Sequence, residues 1–244
     1  MSTSSSWCAE ITPNVEVDNE DYLAASIMFN RTVHLTANIF LTDTLYVLIG
    51  VNERLDGFVI DGDGQYKLDG QDSVRCFFIV GDGLKMGLKD LTVTNGYASA
   101  SSTYGYYGGA IYVGDGAVLE MDGCTVSSSA TANSGQGAGI YVDAATLILT
   151  DTTITNNYMY YGKGAGLYLA SLSKLTMTGG FITLNAQRSG YDVTYSYSYN
   201  SDGSIYNTCK LCLVVSFILS RFIFRLCVCP DGPYYTYSST ATCE

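Results

Sequence analysis

The sequence is short of charge, proline and histidine. Only 14% of its 244 residues are charged, and it contains 3 prolines, 1 histidine and 1 tryptophan. Helix surfaces are usually rich in Glu, Lys and Ala, so this scarcity of charge disfavours a helical bundle. The 12 Lys plus Arg are outnumbered by 23 Asp plus Glu, for a net charge of −11, and they form no basic stripe. We therefore expect no nucleic-acid partner.

A secretion signal is also missing from the amino terminus. Residues 1–14 contain neither the basic region nor the apolar region of a signal peptide. Of the 8 cysteines, however, five lie between 209 and 243. A terminal cluster of this kind is typical of a small disulfide-linked module in an oxidising compartment. We interpret the chain as an incomplete piece of a larger extracellular or cell-surface protein.

Glycine and tyrosine are abundant, with 26 and 21 copies, and they fall into a repeat. The strings GGAIYV, GAGIYV and GAGLYL begin at Gly108, Gly137 and Gly164, which are 29 and 27 residues apart. An earlier copy, CFFIVGDG from Cys76, aligns with GAIYVGDG from Gly109. Apolar and polar residues alternate within each unit, which is strand periodicity. No unit holds the dozen helix-forming residues that a βαβ crossover would require.

Strands that recur every 27 to 29 residues, with no helix between them, predict an all-β solenoid. We expect a parallel β-helix of about six coils over 33–189. Its predicted inward rows are Leu119–Leu147–Leu175, Met121–Leu149–Met177, Val126–Ile154–Ile182 and Ile111–Ile140–Leu167. Asn157 and Asn185 occupy matching turns, where an amide ladder would satisfy buried backbone groups. In the segment 1–32, acids ahead of Leu23 and Ile27 predict a short capping helix.

The repeats resemble those of a known family. They are similar to the pectin-lyase-like, right-handed parallel β-helix repeats of large surface proteins. The GGAIY and GAGIY strings resemble the repeats of polymorphic outer-membrane proteins. This resemblance implies the fold, but it leaves function open, because the same solenoid carries lyases, hydrolases, adhesins and spacers.

Tyrosines occupy the outward positions between the inward residues of three of these strands. Tyr112, Tyr141 and Tyr168 predict an exposed aromatic row along the solenoid. Tyrosine-rich loops are expected beside this row, with Tyr104, Tyr106, Tyr107, Tyr158, Tyr160 and Tyr161. Such rows suit stacking on sugar rings or contact with another protein. Tyrosine is also common in strands for structural reasons alone. We take the three as candidate residues for binding glycans or a partner.

Acidic residues offer weaker candidates. Asp82 and Asp115, in the two VGDG turns, are expected one coil apart, where two carboxylates would suit Ca²⁺. Gly-Asp-Gly is equally ordinary turn chemistry, so no cofactor is expected, with Ca²⁺ as the single candidate. His34 has no evident partner for a catalytic dyad, and no catalytic residue is predicted.

The carboxyl-terminal part departs from the repeat. Residues 190–208 alternate Tyr with small polar residues and predict a linker or an edge strand. Residues 209–244 hold an apolar stretch, 211–228, and a cysteine-rich tail that resembles the start of an ephrin-receptor-like module. Three interpretations of 211–228 stay open: a membrane span containing Arg221 and Arg225, a strand, or a retained intron in an erroneous gene model.

These observations leave two functional hypotheses. The first is a non-enzymatic, adhesin-like scaffold segment of a secreted or cell-surface protein, with glycans or surface proteins as partners. The alternative is a carbohydrate-active protein, either a polysaccharide lyase or glycoside hydrolase, or a relative that only binds glycans. Contact with a membrane is expected only if 211–228 is a genuine span.

Sequencing the mature transcript distinguishes the interpretations of 211–228. A retained intron predicts a spliced message that lacks these codons and joins two cysteine-bearing segments. A spliced message that keeps the codons contradicts the intron interpretation and leaves the span and the strand.

Overall fold

The structure is a computed structural model that describes residues 15–28, 32–48 and 56–187, together with the backbone of two short strands near the carboxyl terminus. The chain consists mainly of short strands, and it winds around one axis so that each turn lies next to the previous one. The bounds in chain order are β1 (Val15–Val17), α1 (Glu20–Met28), β2 (Val33–Leu35), β3 (Ile39–Phe40), β4 (Leu45–Leu48), β5 (Asp56–Asp61), β6 (Lys67–Asp69), β7 (Phe77–Val80), β8 (Lys85–Lys89), β9 (Thr92–Thr94), β10 (Tyr97–Ala98), β11 (Ile111–Gly114), β12 (Val118–Asp122), β13 (Thr125–Ser127), β14 (Ala130–Thr131), β15 (Ile140–Asp143), β16 (Thr146–Thr150), β17 (Thr153–Thr155), β18 (Tyr158–Met159), β19 (Leu167–Leu169), β20 (Lys174–Thr178), β21 (Phe181–Thr183), β22 (Ala186–Gln187), β23 (Cys212–Leu213) and β24 (Leu226–Cys227).

Strands from successive turns stack into parallel sheets. Sheet I has the order β1-β2-β5-β8-β12-β16-β20, sheet II has the order β3-β6-β9-β13-β17-β21, and sheet III has the order β4-β7-β11-β15-β19. A fourth sheet of two-residue strands, β10-β14-β18-β22, lies between sheets II and III along the chain. About five turns are complete, and β20 to β22 begin another. The predicted parallel β-helix is therefore confirmed.

The predicted aliphatic rows are also confirmed. Leu119 pairs with Leu147 and Leu147 with Leu175, and the other three rows keep the predicted register. Leu119 and Leu147 are 0% exposed, and both belong to one continuous core cluster. Because each buried aliphatic side chain contributes about 1.5–3 kcal/mol, these rows supply the main driving force for folding.

An asparagine ladder crosses the turn that follows sheet II. The Asn185 Oδ1 accepts hydrogen bonds from the backbone N of Asn157 at 3.0 Å and from its Nδ2 at 2.9 Å. Asn157 Oδ1 in turn accepts one from the backbone N of Ser129 at 3.0 Å. A Cβ on Gly166 would lie 2.5 Å from the Asn185 Nδ2, so this glycine is required by close approach. The predicted amide ladder is present and satisfies buried backbone groups.

The predicted capping helix is α1. The Asn19 Oδ1 accepts a hydrogen bond from the backbone N of Tyr22 at 3.1 Å, which is an N-cap. Leu23 and Ile27 are 0% and 2% exposed and join the core of the solenoid. The helix therefore covers the apolar end of the first turn.

One expected register is wrong by a single residue. The matching VGDG strings suggest that Val80 lies beside Val113, whereas the structure pairs Val80 with Gly114 and Phe78 with Tyr112. The register follows from the apolar residues on alternate positions of β7 and β11, which must all face the core. A repeated turn motif cannot override that constraint, so the two VGDG turns are offset.

The predicted linker, 190–208, lies outside the described residues. The tail at 209–244 also lies outside them, apart from the backbone of β23 and β24, which pair in antiparallel fashion. In the part of the chain that the structure describes, no helix is long and apolar enough to cross a membrane.

Replacing Leu147 tests the stacking of the core. We expect Leu147→Ala to lower the free energy of unfolding by about 2–5 kcal/mol, because it opens a cavity between two flanking turns. The measurement is urea unfolding followed by far-UV circular dichroism. Thr150→Ala on the same strand, at a half-buried outward position, is the matched control and should change little. Equal effects of the two substitutions would contradict the inward orientation of Leu147.

Candidate functional site

The outward face of sheet III carries a continuous row of aromatic rings, the aromatic ladder. Its members are the outward residues of β4, β7, β11, β15 and β19, in register with one another: Tyr46, Phe78, Tyr112, Tyr141 and Tyr168. Neighbouring ring centroids are 5.8, 4.9, 5.3 and 5.5 Å apart along this row. The three predicted tyrosines are therefore brought together as expected, and two further aromatic residues extend the row.

The ladder is less exposed than expected. Tyr112 and Tyr141 are only 2% and 7% exposed, so the prediction of an open row is wrong at these positions. The cover is the 99–110 loop, which connects β10 to β11 and places Tyr104 over the ring of Tyr112 at 5.3 Å and Tyr107 over the ring of Tyr141 at 4.9 Å. A longer connection in this one turn has folded back onto the sheet.

The loop's own rings form the outer layer. Tyr104 is 56% exposed and Tyr107 is 37% exposed, and Tyr46 at the edge of the ladder is 43% exposed. We call these three rings the aromatic surface. Each exposed ring rests against buried aromatic rings, so its orientation is set before any partner arrives.

A buried arginine ties the loop down. Arg75 is 1% exposed. Its guanidinium donates hydrogen bonds to the backbone oxygens of Gly108 at 2.9 Å, Thr103 at 2.8 Å, Tyr107 at 2.7 Å and Gly105 at 3.2 Å. Burial lowers the pKa of Arg75 to about 10, which still leaves it charged at neutral pH. The cation is thus held by neutral carbonyl oxygens.

The same guanidinium also contacts the ladder. Its central carbon lies 5.5 Å from the ring centroid of Phe78 and 5.6 Å from that of Tyr112. Cation–π contacts of this length are favourable, and more so when water is excluded. Arg75 therefore joins the loop to the sheet beneath it.

Acidic turns border the ladder. Burial, followed by the negative charge of Asp143, raises the pKa of both Tyr112 and Tyr141. A Cβ on Gly114 would lie 2.7 Å from the ring of Tyr112, so the missing side chain makes room for that ring. The phenols of Tyr112 and Tyr141 are therefore neutral at physiological pH, next to a negative charge.

The expected pairing of Asp82 with Asp115 is wrong. Asp82 lies beside Gly116, whose Cβ would be 2.8 Å from the Asp82 Oδ1, because the two turns are offset by one residue. Within the described ranges, no three His, Cys, Asp or Glu side chains are grouped to hold a metal ion. The two aspartates therefore have no third ligand in this part of the chain.

A second row of functional groups lies on the outward face of sheet I. His34, Asp61 and Lys89 are consecutive in register. The Asp61 Oδ2 is 3.0 Å from the Lys89 Nζ and 3.9 Å from the His34 Nδ1. Burial works to raise the pKa of Asp61, but hydrogen bonds from the backbone N of Asp63 and from Lys89 outweigh it and hold that pKa below its ordinary value. The contact was not predicted from the sequence, because His34 and Asp61 are 27 positions apart in the chain.

Three members of the sheet III site were not predicted from the sequence, namely Tyr46, Arg75 and Phe78. Phe78 was hidden by the wrong register of its strand, which placed it inward. The sequence does place Arg75 immediately before the inward residue Cys76, and it shows a long, tyrosine-rich loop at 99–110. Only the path of that loop in the structure shows that Arg75 contacts it.

Comparison with known protein families identifies the repeat. A family model described as a right-handed beta helix region matches residues 77–228, which is more than half of the chain. The chain belongs to this family. Its match includes the candidate site from Phe78 onward and agrees with the parallel stacking of the described turns. Neither the curated proteins nor the solved structures contain a match to the chain.

Two cysteines in this β-helix provide a chemical test of its interior. Burial raises the pKa of the free thiol of Cys76 to about 12 and that of Cys124 to about 11. Since the thiolate is the nucleophile, Cys76 should alkylate roughly 1,000-fold more slowly at pH 8 than an unperturbed thiol. Iodoacetamide labelling mapped by mass spectrometry measures this, with urea-unfolded protein as the control. Rapid labelling of either thiol in folded protein would contradict the described core.

Proposed function

We propose that the chain is a non-enzymatic β-helix scaffold of a secreted or cell-surface protein, and that it makes adhesive contacts through the aromatic surface. The observation that carries this proposal is the exposure of Tyr46, Tyr104 and Tyr107, at 43%, 56% and 37%, above a buried aromatic stack. Exposed apolar patches mark interaction sites. Tyrosine is also enriched at interfaces, because it combines a large apolar ring with a hydroxyl.

The support beneath these rings favours binding. Tyr104 stacks on Phe78 at 5.4 Å as well as on Tyr112, and the Tyr46 hydroxyl lies 3.1 Å from the Thr103 Oγ1. Rings that are already held lose little conformational entropy when a partner docks. A rigid solenoid with an ordered aromatic patch is therefore suited to repeated, reversible contact.

Membership of the β-helix family supports a scaffold or a carbohydrate-active protein in general terms. We propose in addition that its repeats are related to pectin-lyase-like and polymorphic outer-membrane repeats. We also propose an extracellular location, with a glycan or a surface protein as the partner.

A second candidate function is carbohydrate chemistry at the row of His34, Asp61 and Lys89. Polysaccharide-cleaving enzymes use a base beside a cation or an acid, and this row brings such groups within 4 Å. It ranks second because Asp61 is an ion-paired anion with a lowered pKa. A general base works best with a pKa near the operating pH.

Binding and turnover assays separate the two candidates. The protein is applied to an array of neutral and acidic polysaccharides and purified extracellular-matrix proteins, and soluble polysaccharides are assayed for new reducing or unsaturated ends. We expect binding without turnover. The Tyr104→Ala and Tyr107→Ala substitutions should each weaken binding roughly tenfold, the usual cost of truncating a central interface tyrosine.

The matched control is Tyr22→Ala, which removes a 65% exposed tyrosine of α1 that is not part of the aromatic surface and lines a groove with Val15 and Thr36. Binding that all three variants weaken equally would contradict a specific surface. Turnover that Asp61→Asn or Lys89→Met abolishes would replace the adhesive proposal with the enzymatic one.

A further inference from the structure

We infer that Arg75 is the positioning residue of the aromatic surface: its guanidinium fixes the 99–110 loop so that Tyr104 and Tyr107 lie on the aromatic ladder. This inference rests on the proposed function, because it explains how the binding rings are presented. Arg75 itself would not contact a partner, since it is 1% exposed, and it acts only through the loop.

The contacts show why Arg75 should matter more than the rings it supports. Its hydrogen bonds end on backbone oxygens at four positions of the loop, Thr103, Gly105, Tyr107 and Gly108. Bonds to the backbone hold the path of the chain whatever side chains it carries. Hydrogen bonds from a charged donor are also about twice as strong as neutral ones.

The end of the loop next to β11 is also held by backbone hydrogen bonds: the Gly108 N donates to the Gln136 O at 3.0 Å, and the Gln136 N donates to the Tyr106 O at 3.3 Å. The remaining ties, which are made by side chains, are weaker. The Tyr46 hydroxyl meets the Thr103 Oγ1 at 3.1 Å, and the Asn133 Nδ2 donates to the Tyr106 hydroxyl at 3.1 Å, both at exposed positions. Neutral hydrogen bonds in water contribute little net stability. Without the guanidinium, residues 99–105 would therefore be held mainly by the stacking of Tyr104 on Phe78 and Tyr112.

Arg75 can be changed without opening the core. Cys76, its neighbour in sequence, is 0% exposed and belongs to the aliphatic core cluster, whereas the Arg75 side chain contacts the outer rings of Phe78 and Tyr112. Lysine retains the charge but lacks the planar fork of donors. We therefore expect Arg75→Lys to release the loop while the solenoid stays folded.

The test compares wild type, Arg75→Lys and the double variant Tyr104→Ala/Tyr107→Ala by hydrogen-exchange mass spectrometry. In Arg75→Lys, amides of 99–105 should exchange at least roughly tenfold faster, since one charge-assisted hydrogen bond is worth about that factor. Amides of β11 and β15 should keep their rates. In the double variant the loop should stay protected, because its carbonyl oxygens still reach Arg75.

Tyrosine nitration by tetranitromethane at pH 8 gives a second readout. Tyr112 and Tyr141 should resist nitration in wild type, because the loop covers them and their pKa values are raised. Tyr112, which lies beneath Tyr104, should become reactive in Arg75→Lys. Lys67→Gln is the matched control, since it removes another cation over a ring, Phe40, at 5.4 Å on a different sheet. That control should leave both readouts unchanged.

Two results would overturn the inference. One is an ordered loop in Arg75→Lys, with unchanged exchange and nitration. The other is a loop released by the tyrosine double variant, which would assign positioning to ring stacking. Neither result bears on whether the aromatic surface binds a partner, which the array measures separately. If Arg75→Lys fails to fold, the double variant still tests the inference: a released loop would overturn it, and a protected loop would exclude ring stacking as the cause of the loop's position.

Discussion

Each strand of this protein is held by parallel pairing with the equivalent strand one turn away, and everything else depends on that register. Because side chains alternate between the two faces of a strand, a shift of one residue would exchange every inward residue for an outward one. Burial of the aliphatic residues therefore sets the register, as it does for Leu119, Leu147 and Leu175 on sheet I. Once those rows are buried, the register of the outward side chains is fixed as well.

The outer face of sheet III shows what this constraint produces. Stacking turns over one another places Phe78, Tyr112 and Tyr141 in one column with centroids 4.9 and 5.3 Å apart. That spacing is close to the roughly 4.8 Å between paired strands, so the sheet itself sets the ring separation. The faces of these rings form cation–π contacts with Arg75, and the rings of the 99–110 loop stack on them. Its charge is tolerated in the interior because four carbonyl oxygens and two rings replace water.

The two outward faces are built from different chemistry. On sheet I, Asp61 and Lys89 lie 3.0 Å apart in neighbouring turns, where opposite charges offset one another. On sheet III, Tyr112 and Tyr141 are neutral phenols, since burial and the charge of Asp143 raise their pKa values. The first face is a set of paired charges and the second is an apolar surface with hydroxyl edges. This contrast is why sheet III is the better candidate for contact with another molecule.

The sequence by itself determined the repeat, the parallel β-helix, the inward rows, the asparagine ladder and the capping helix, because each depends on local alternation or on a spacing that recurs. It also identified Tyr112, Tyr141 and Tyr168 as outward residues. Only the tertiary structure decided that the 99–110 loop covers two of them, that Arg75 holds that loop and that His34 meets Asp61. These contacts join residues of unlike type across turns of unequal length, so no periodic pattern marks them. The one-residue error at the VGDG turns has the same origin, since core packing, and not the turn motif, sets the register.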